Sequence, residues 1–191
     1  SGTRKVLKEV TEQEKQNIVA RKFLMEDAYR WYTYQSIQKK IDDVAFGLVS
    51  ETCLKSKDVV VIYADTCLEW FISAMACFRI NCKIATIYTN LGPDGVGYYI
   101  NKVQPKLIIT NQHLLPNLLD VLRKESSKAL ELIYLPNSLS PDTTDGMRGG
   151  SWVLHNFDDI EKFGENSDET NHTWQWQVAE RDDIAMIMFT S

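Results

Sequence analysis

The chain is 191 residues long, with 44% hydrophobic residues, 25% charged residues and a formal net charge of −5 at pH 7. This composition is typical of a folded globular domain with a sizeable core. The negative charge argues against general binding to nucleic acid, which needs a basic surface, and no apolar run approaches the length of a membrane span.

The first part of the chain is predicted to lead into a domain rather than to form one. Residues 1–27 are polar and weakly patterned, which predicts an extended or partly disordered lead-in. The aromatic-rich residues 28–33 suit a short strand or hairpin arm, and Thr33 is placed to cap the helix that follows. Apolar residues at helical spacing then predict an amphipathic helix over 34–48.

Residues 57–111 alternate three short apolar runs with two helix-like segments. This alternation is typical of a βαβαβ unit with a parallel sheet. We expect strands over 58–63, 84–89 and 107–110. The first of them contains a continuous apolar run rather than an alternating one, as a strand covered by helices on both faces requires.

The two helices between these strands carry start and stop signals. Thr66 and Glu69 are spaced as a capping box, and Asn81 is a plausible end for the first helix. Pro93 suits the first position of the second helix, where its missing amide costs nothing. Pro105 is expected to end that helix.

The pattern continues beyond residue 111. We predict a helix over 114–124, a strand over 130–135, a loop over 136–150, a short strand over 152–154, a short helix over 157–163 and a last strand over 184–189. The fold class that follows is α/β, a layered domain with a mostly parallel sheet flanked by helices.

Side chains with catalytic or metal-binding chemistry are scattered along the chain. The three histidines are isolated, which favours surface or loop positions. The adjacent pairs Asp42–Asp43, Asp158–Asp159 and Asp182–Asp183 point to different sides of a helix or strand, so we read them as solvated and predict no catalytic residue and no metal site. The four cysteines form no CxxC pair, which favours reduced, mostly packed thiols in a cytosolic environment.

Thr190 and Ser191 are the exception, because they follow an apolar strand directly. Phosphate-binding loops of α/β proteins begin where a strand runs into small hydroxyl residues, since backbone amides and hydroxyls there can surround phosphate oxygens. A Thr-Ser pair after a strand is also common by chance. The pair therefore needs support from the rest of the chain.

The chain as a whole resembles the N-terminal part of a long-chain fatty acid–CoA ligase of the adenylate-forming, AMP-binding superfamily. The resemblance lies in four stretches in order: GTR followed by YRWYTY, VVVIYADTCLEWFISAMACFRIN with its E-W pair, ATIYTNLGPDGVGYYIN, and DDIAMIMFTS before the family's nucleotide loop. Two positions depart from the family pattern. Phe189 stands where a tyrosine is usual, and Asn90 interrupts the usual Thr-Leu-Gly.

The resemblance implies a two-step reaction and its site. A fatty carboxylate attacks the α-phosphate of Mg-ATP to give acyl-AMP and diphosphate, and the thiol of coenzyme A then displaces AMP. Thr190 and Ser191 would contact the ATP phosphates. ATP, Mg²⁺, coenzyme A and a long-chain fatty acid are the implied cofactors and partners, with no nucleic acid.

The resemblance also implies a domain organisation. Residues 28–191 would be a partial adenylation domain that stops at the start of the phosphate-binding loop, so the chain by itself is expected to be inactive. The complete parent would act at the cytosolic face of the endoplasmic reticulum or mitochondrial outer membrane. No membrane segment is predicted in this chain, and membrane association is implied for the parent alone.

Two other interpretations stay open at this point. One is a non-catalytic α/β binding or interaction module from a truncated product, and the sequence that follows Ser191 would discriminate it. The other is a nicotinamide-binding Rossmann domain. It is disfavoured because the turn after the first strand, 64–66, has no GxGxxG.

Overall fold

A computed structural model describes residues 2–14, 18–124, 130–136, 144–147, 151–167 and 178–189. Four strands precede the first helix: β1 (Gly2–Thr3), β2 (Val6–Glu14), β3 (Ile18–Met25) and β4 (Arg30–Trp31). Strand β1 pairs antiparallel with β4, and β2 pairs antiparallel with β3. The lead-in is therefore a pair of antiparallel ribbons. Polar and charged residues interrupt the apolar alternation of β2, so the pattern predicted an extended or partly disordered lead-in without defined strands.

Helix α1 (Tyr34–Glu51) begins where the sequence predicted. The Oγ1 of Thr33 accepts a hydrogen bond from the amide of Ser36 at 3.1 Å, which satisfies a free donor of the first turn. Its apolar residues lie on one buried face, as the helical spacing required. They are Ile37, Ile41, Val44, Ala45 and Leu48.

The centre of the fold is a six-stranded sheet in the order β10-β6-β5-β7-β8-β9. Every neighbouring pair is parallel. The strands are β5 (Val59–Tyr63), β6 (Lys83–Thr86), β7 (Leu107–Asn111), β8 (Leu130–Leu135), β9 (Trp152–Asn156) and β10 (Met186–Ile187). The predicted parallel sheet is confirmed.

Helices cover both faces of this sheet. They are α2 (Leu68–Arg79), α3 (Pro93–Val103), α4 (Leu115–Lys124) and α5 (Phe157–Glu165). One core lies between the sheet and α1, α2 and α5, and a second lies between the sheet and α3 and α4. Along β5, Val60 and Ile62 enter the first core while Val61 and Tyr63 enter the second, which explains the continuous apolar run.

The boundaries of α2 differ partly from the prediction. Cys67, not Thr66, is the N-cap, and its Sγ lies 3.4 Å from the Trp70 amide. The predicted capping box is therefore wrong by one residue. The predicted end of α2 agrees with the structure. Asn81 follows the helix and has a left-handed backbone conformation, with φ 55°. The amide of Cys82 donates to the Cys77 carbonyl at 2.8 Å, as in a Schellman motif.

Two strands are shorter than predicted. Strand β6 ends at Thr86, because the chain leaves the sheet there for the turn that leads to α3. Strand β10 is reduced to two paired residues, Met186 and Ile187, whose partners are Ile84 and Ala85 of β6.

Candidate functional site

Polar side chains collect at the carboxyl edge of the sheet. Asp65 follows β5, Thr89 follows β6 and Asn111 ends β7. Since all the strands of the sheet are parallel, their carboxyl ends meet at one edge, where α/β proteins bind ligands.

Asp65 joins the three loops at this edge. Its carboxylate accepts a hydrogen bond from Thr89 Oγ1 at 2.9 Å, and its other oxygen lies 3.3 Å from His113 Nε2. Its own amide donates to Asn111 Oδ1 at 2.6 Å. The four residues form a polar cluster, which we call the edge cluster. Burial raises the pKa of the neighbouring Tyr63, and the carboxylate of Asp65 adds to that rise.

A cavity of about 1120 Å³ lies beside the edge cluster. It is lined by residues at the carboxyl ends of β5, β7 and β8, by the first turn of α2 and by residues of β1, β2 and β3. The lining mixes basic, acidic and apolar side chains, among them Arg4, Lys5, Glu69, Phe23, Met25 and Leu135. A cavity of this size at a sheet's carboxyl edge is suited to a ligand with both polar and apolar parts.

The predicted site residues Thr190 and Ser191 lie outside the described residues. The last described residue, Phe189, packs against Tyr99 of α3, with ring centroids 4.0 Å apart and an interplanar angle of 43°. Strand β10 therefore ends beside α3, at the same edge as the cluster.

The approach to β10 is held by a second set of contacts. One oxygen of Asp183 lies 2.8 Å from Lys57 Nζ, and the other accepts hydrogen bonds from Asn81 Nδ2 at 2.9 Å and from the Glu180 amide at 3.0 Å. The hydrogen bond from the Lys57 ammonium is the largest of the causes that hold the pKa of Asp183 well below its usual range. The sequence pattern suggested that Asp183 is solvated. The structure instead places its carboxylate in contact with Lys57 and Asn81.

His155 and the Asp42–Asp43 pair have structural partners. His155 lies in β9 rather than in a loop, and its Nε2 lies 2.8 Å from Glu131 Oε2 of β8. Asp42 accepts from Arg79 Nε at 2.9 Å, and Asp43 accepts from Lys39 Nζ at 2.7 Å. His172 lies outside the described residues.

The four cysteines are free thiols. Burial raises the pKa of Cys67 and of Cys82 to about 12, and it also raises the pKa of Cys77. Cys53 is exposed. Cys77 and Cys82 are buried and Cys67 is half-buried, which agrees with the prediction of mostly packed thiols.

Two kinds of feature are absent from the described part of the chain. No helix there has both the length and the apolar character to cross a membrane. No group of three or more His, Cys, Asp or Glu side chains there could hold a metal ion.

Sequence reasoning missed Asp65 and Tyr99. A signal for Asp65 was available, because it follows a buried parallel strand almost directly, the position at which such sheets place functional side chains. Tyr99 gave no signal beyond its helical spacing, since its partner Phe189 is distant in sequence.

The chain is similar to curated acyl-CoA synthetases along most of its length. It is 27% identical to long chain acyl-CoA synthetase 8 of Arabidopsis thaliana over 85% of the chain and 22% of that protein. It is 25% identical to long-chain-fatty-acid–CoA ligase 6 of Mus musculus over 87% of the chain and 23% of that protein. The chain thus spans about a quarter of the length of these relatives.

Solved structures show the same fold at lower identity. The A domain of carboxylic acid reductase from Segniliparus rugosus, in complex with AMP and a co-purified carboxylic acid, matches with a TM-score of 0.75, at 12% identity, over 100% of this chain and 31% of that one. An acyl-CoA synthetase from Brucella canis matches with a TM-score of 0.63, at 14% identity, over 95% of this chain and 28% of that one.

The strongest assignment comes from the family itself. The AMP-binding enzyme family matches residues 8–191, which is nearly the whole chain and includes part of the N-terminal ribbon as well as the sheet. The resemblance stated from the sequence is confirmed, and the chain belongs to the AMP-binding enzyme family of adenylate-forming proteins.

Proposed function

We propose that this chain contributes to an ATP-dependent long-chain fatty acid–CoA ligase, in which Thr190 and Ser191 contact the phosphates of ATP. The observation that carries the proposal is the similarity to long-chain acyl-CoA synthetases over 85% to 100% of the chain. The position of β10 supports the site assignment, because the two hydroxyl residues follow a strand that ends at the sheet's carboxyl edge.

The proposed reaction forms and breaks two bonds in sequence. The carboxylate oxygen of the fatty acid attacks the α-phosphorus of ATP, diphosphate leaves, and acyl-AMP forms. The coenzyme A thiol then gives up its proton and attacks the acyl carbon, and AMP leaves with the bonding electrons. In the first step, hydroxyls and backbone amides at the start of the loop would orient the phosphates and stabilise charge that develops on them.

Mg²⁺ is implied by the resemblance, but the described residues offer no set of ligands for it. We also propose that the complete protein acts at the cytosolic face of the endoplasmic reticulum or mitochondrial outer membrane. Fractionation of cells that carry the tagged protein would test this, and recovery in the cytosol alone would contradict it.

The catalytic proposal is tested on the purified product of the whole open reading frame that encodes this chain. The protein is incubated with palmitate, ATP and coenzyme A, and palmitoyl-CoA is measured by mass spectrometry. We expect product with palmitate and little with acetate. The 191-residue chain expressed by itself is expected to give none.

Two hydroxyl deletions test the site. Hydrogen bonds to charged groups contribute about 1.5–3 kcal/mol, so Thr190→Ala and Ser191→Ala should each raise KM for ATP by about tenfold or more. Ser50→Ala is the matched control, because Ser50 is an exposed hydroxyl residue of α1 away from this edge. Binding of palmitate without any acyl-CoA product would instead support the non-catalytic binding module.

A further inference from the structure

Strand β10 is held weakly by its backbone. Only Met186 and Ile187 have register partners, on β6, and the Ile84 amide adds one hydrogen bond to the Ala185 carbonyl at 3.0 Å. The side chains of Ile184, Met186 and Met188 are exposed. The position of a short edge strand with so few pairings depends mostly on side-chain contacts at its two ends.

The start of the strand is fixed by Asp183. Its carboxylate binds Lys57 and Asn81, which lie in the turns before β5 and before β6. Both of these residues have left-handed backbones, at φ 69° and 55°. The anchor thus ties the start of β10 to two tight turns of the central sheet.

The end of the strand is fixed by one ring contact. Tyr99 lies on α3, whose Val96 and Ile100 are buried in the second core. Its ring meets the ring of Phe189 with centroids 4.0 Å apart. Aromatic pairs at this separation are attractive beyond the area they bury, so the contact fixes the last described residue of the strand.

We propose that Tyr99 is a positioning residue for the nucleotide-binding loop. The inference rests on the proposed function, because it takes Thr190 and Ser191 as the residues that contact ATP. Thr190 is bonded directly to Phe189, so a shift of the Phe189 ring would move the backbone that carries both hydroxyls. Small errors in the placement of reacting groups lower rates strongly.

A purely structural role for Tyr99 makes a different prediction. A ring that only fills the core would, when removed, lower the amount of folded protein and leave the KM of every substrate unchanged. A positioning residue changes the KM for ATP selectively, because the fatty acid makes no contact with the loop in this proposal. The readout is therefore the change in KM for ATP compared with the change in KM for the fatty acid.

The experiment uses the product of the whole open reading frame with palmitate, ATP and coenzyme A. Tyr99→Ala should raise KM for ATP by about fivefold to tenfold, the size expected from the loss of one aromatic pair, with KM for palmitate within about twofold of wild type. Tyr99→Phe keeps the ring and should behave as wild type. Tyr34→Ala is the matched control, because Tyr34 is 92% exposed at the start of α1.

A second variant covers the case in which Tyr99→Ala does not fold. Phe189→Leu keeps apolar volume at the end of β10 but ends the ring contact, and it should raise KM for ATP in the same way. If folded Tyr99→Ala and Phe189→Leu both keep the wild-type KM for ATP, the positioning role is wrong while the ligase assignment stands. If wild-type protein consumes no ATP in the presence of palmitate, the proposed function fails and the inference fails with it.

Discussion

The backbone carbonyl of Asp43 occupies the space that a side chain on Gly164 would need. A Cβ built on Gly164 would overlap that oxygen, and a Cβ on Gly47 would overlap the carbonyl oxygen of Ile160. The two glycines lie on α1 and α5, so each helix offers one glycine to the backbone of the other. This close approach seats α5 against the first core, through Phe157 and Ile160.

Gly164→Ala should therefore destabilise the protein, because the obstructing atoms belong to backbone and cannot rotate away. We expect a loss of about 2–4 kcal/mol in the free energy of unfolding, measured by urea denaturation. Gly95→Ala is the control. A Cβ there meets only the Leu91 side chain at 3.6 Å or beyond, so it should be neutral or stabilise by up to about 1 kcal/mol. Equal stabilities for the two variants would contradict the packing described.

The Asp183 anchor predicts a pH-dependent stability. Its folded pKa lies below the unfolded value of about 3.9, so the contribution is fully present above that value and is lost as the pH falls through the folded pKa. Asp183→Asn should melt at a lower temperature than wild type at pH 7, and the gap should narrow below about pH 4.

Asp182→Asn is the neighbouring control for that series, because Asp182 is exposed and the described contacts of the anchor are made by Asp183 with Lys57, Asn81 and the Glu180 amide. It should track wild type at every pH. A melting gap for Asp183→Asn that stays constant from pH 7 to pH 3 would show that the carboxylate charge does not stabilise β10.

The cysteines predict a graded reactivity toward iodoacetamide. Cys53 is exposed, whereas burial raises the pKa of Cys67 and Cys82 to about 12 and leaves almost no thiolate at pH 8. Native protein should gain one carbamidomethyl group quickly, and denatured protein should gain four, one for each cysteine. Cys53→Ser should abolish the fast reaction. Rapid labelling of Cys77 in the native protein would contradict the burial of α2.

The edge cluster predicts a modest loss of stability for Asn111→Ala. The substitution removes the acceptor of the Asp65 amide, a bond of 2.6 Å, and should cost about 1 kcal/mol. Asn90→Ala changes an exposed residue of the loop between β6 and α3, and it should cost less than half of that free energy. Thermal melting of the two variants checks the difference, and the account of the cluster fails if Asn90→Ala is the more damaging change.

Most of the fold could be predicted from local sequence patterns. The continuous apolar run of β5, Pro93 at the start of α3 and Thr33 at the cap of α1 each have a local physical cause, and the structure agrees with all three. The antiparallel ribbon of β2 and β3 was not predicted, because its pairing depends on backbone groups rather than on a hydrophobic period.

The candidate site was harder to predict because its contacts join distant parts of the chain. Asp65 meets Thr89 and Asn111 only once three strands lie side by side, and Tyr99 meets Phe189 only once β10 joins the sheet. The hydroxyl pair 190–191 could be singled out from its place after a strand. What holds that strand in position could not be read from neighbouring residues.

The most direct test of the whole account is fatty-acid-dependent exchange of labelled diphosphate into ATP by the product of the whole open reading frame. This exchange reports formation of acyl-AMP without requiring coenzyme A. The account predicts exchange that depends on palmitate and is weakened by Ser191→Ala. Absence of exchange in folded wild-type protein with palmitate and other long-chain acids would contradict the ligase function proposed for this chain.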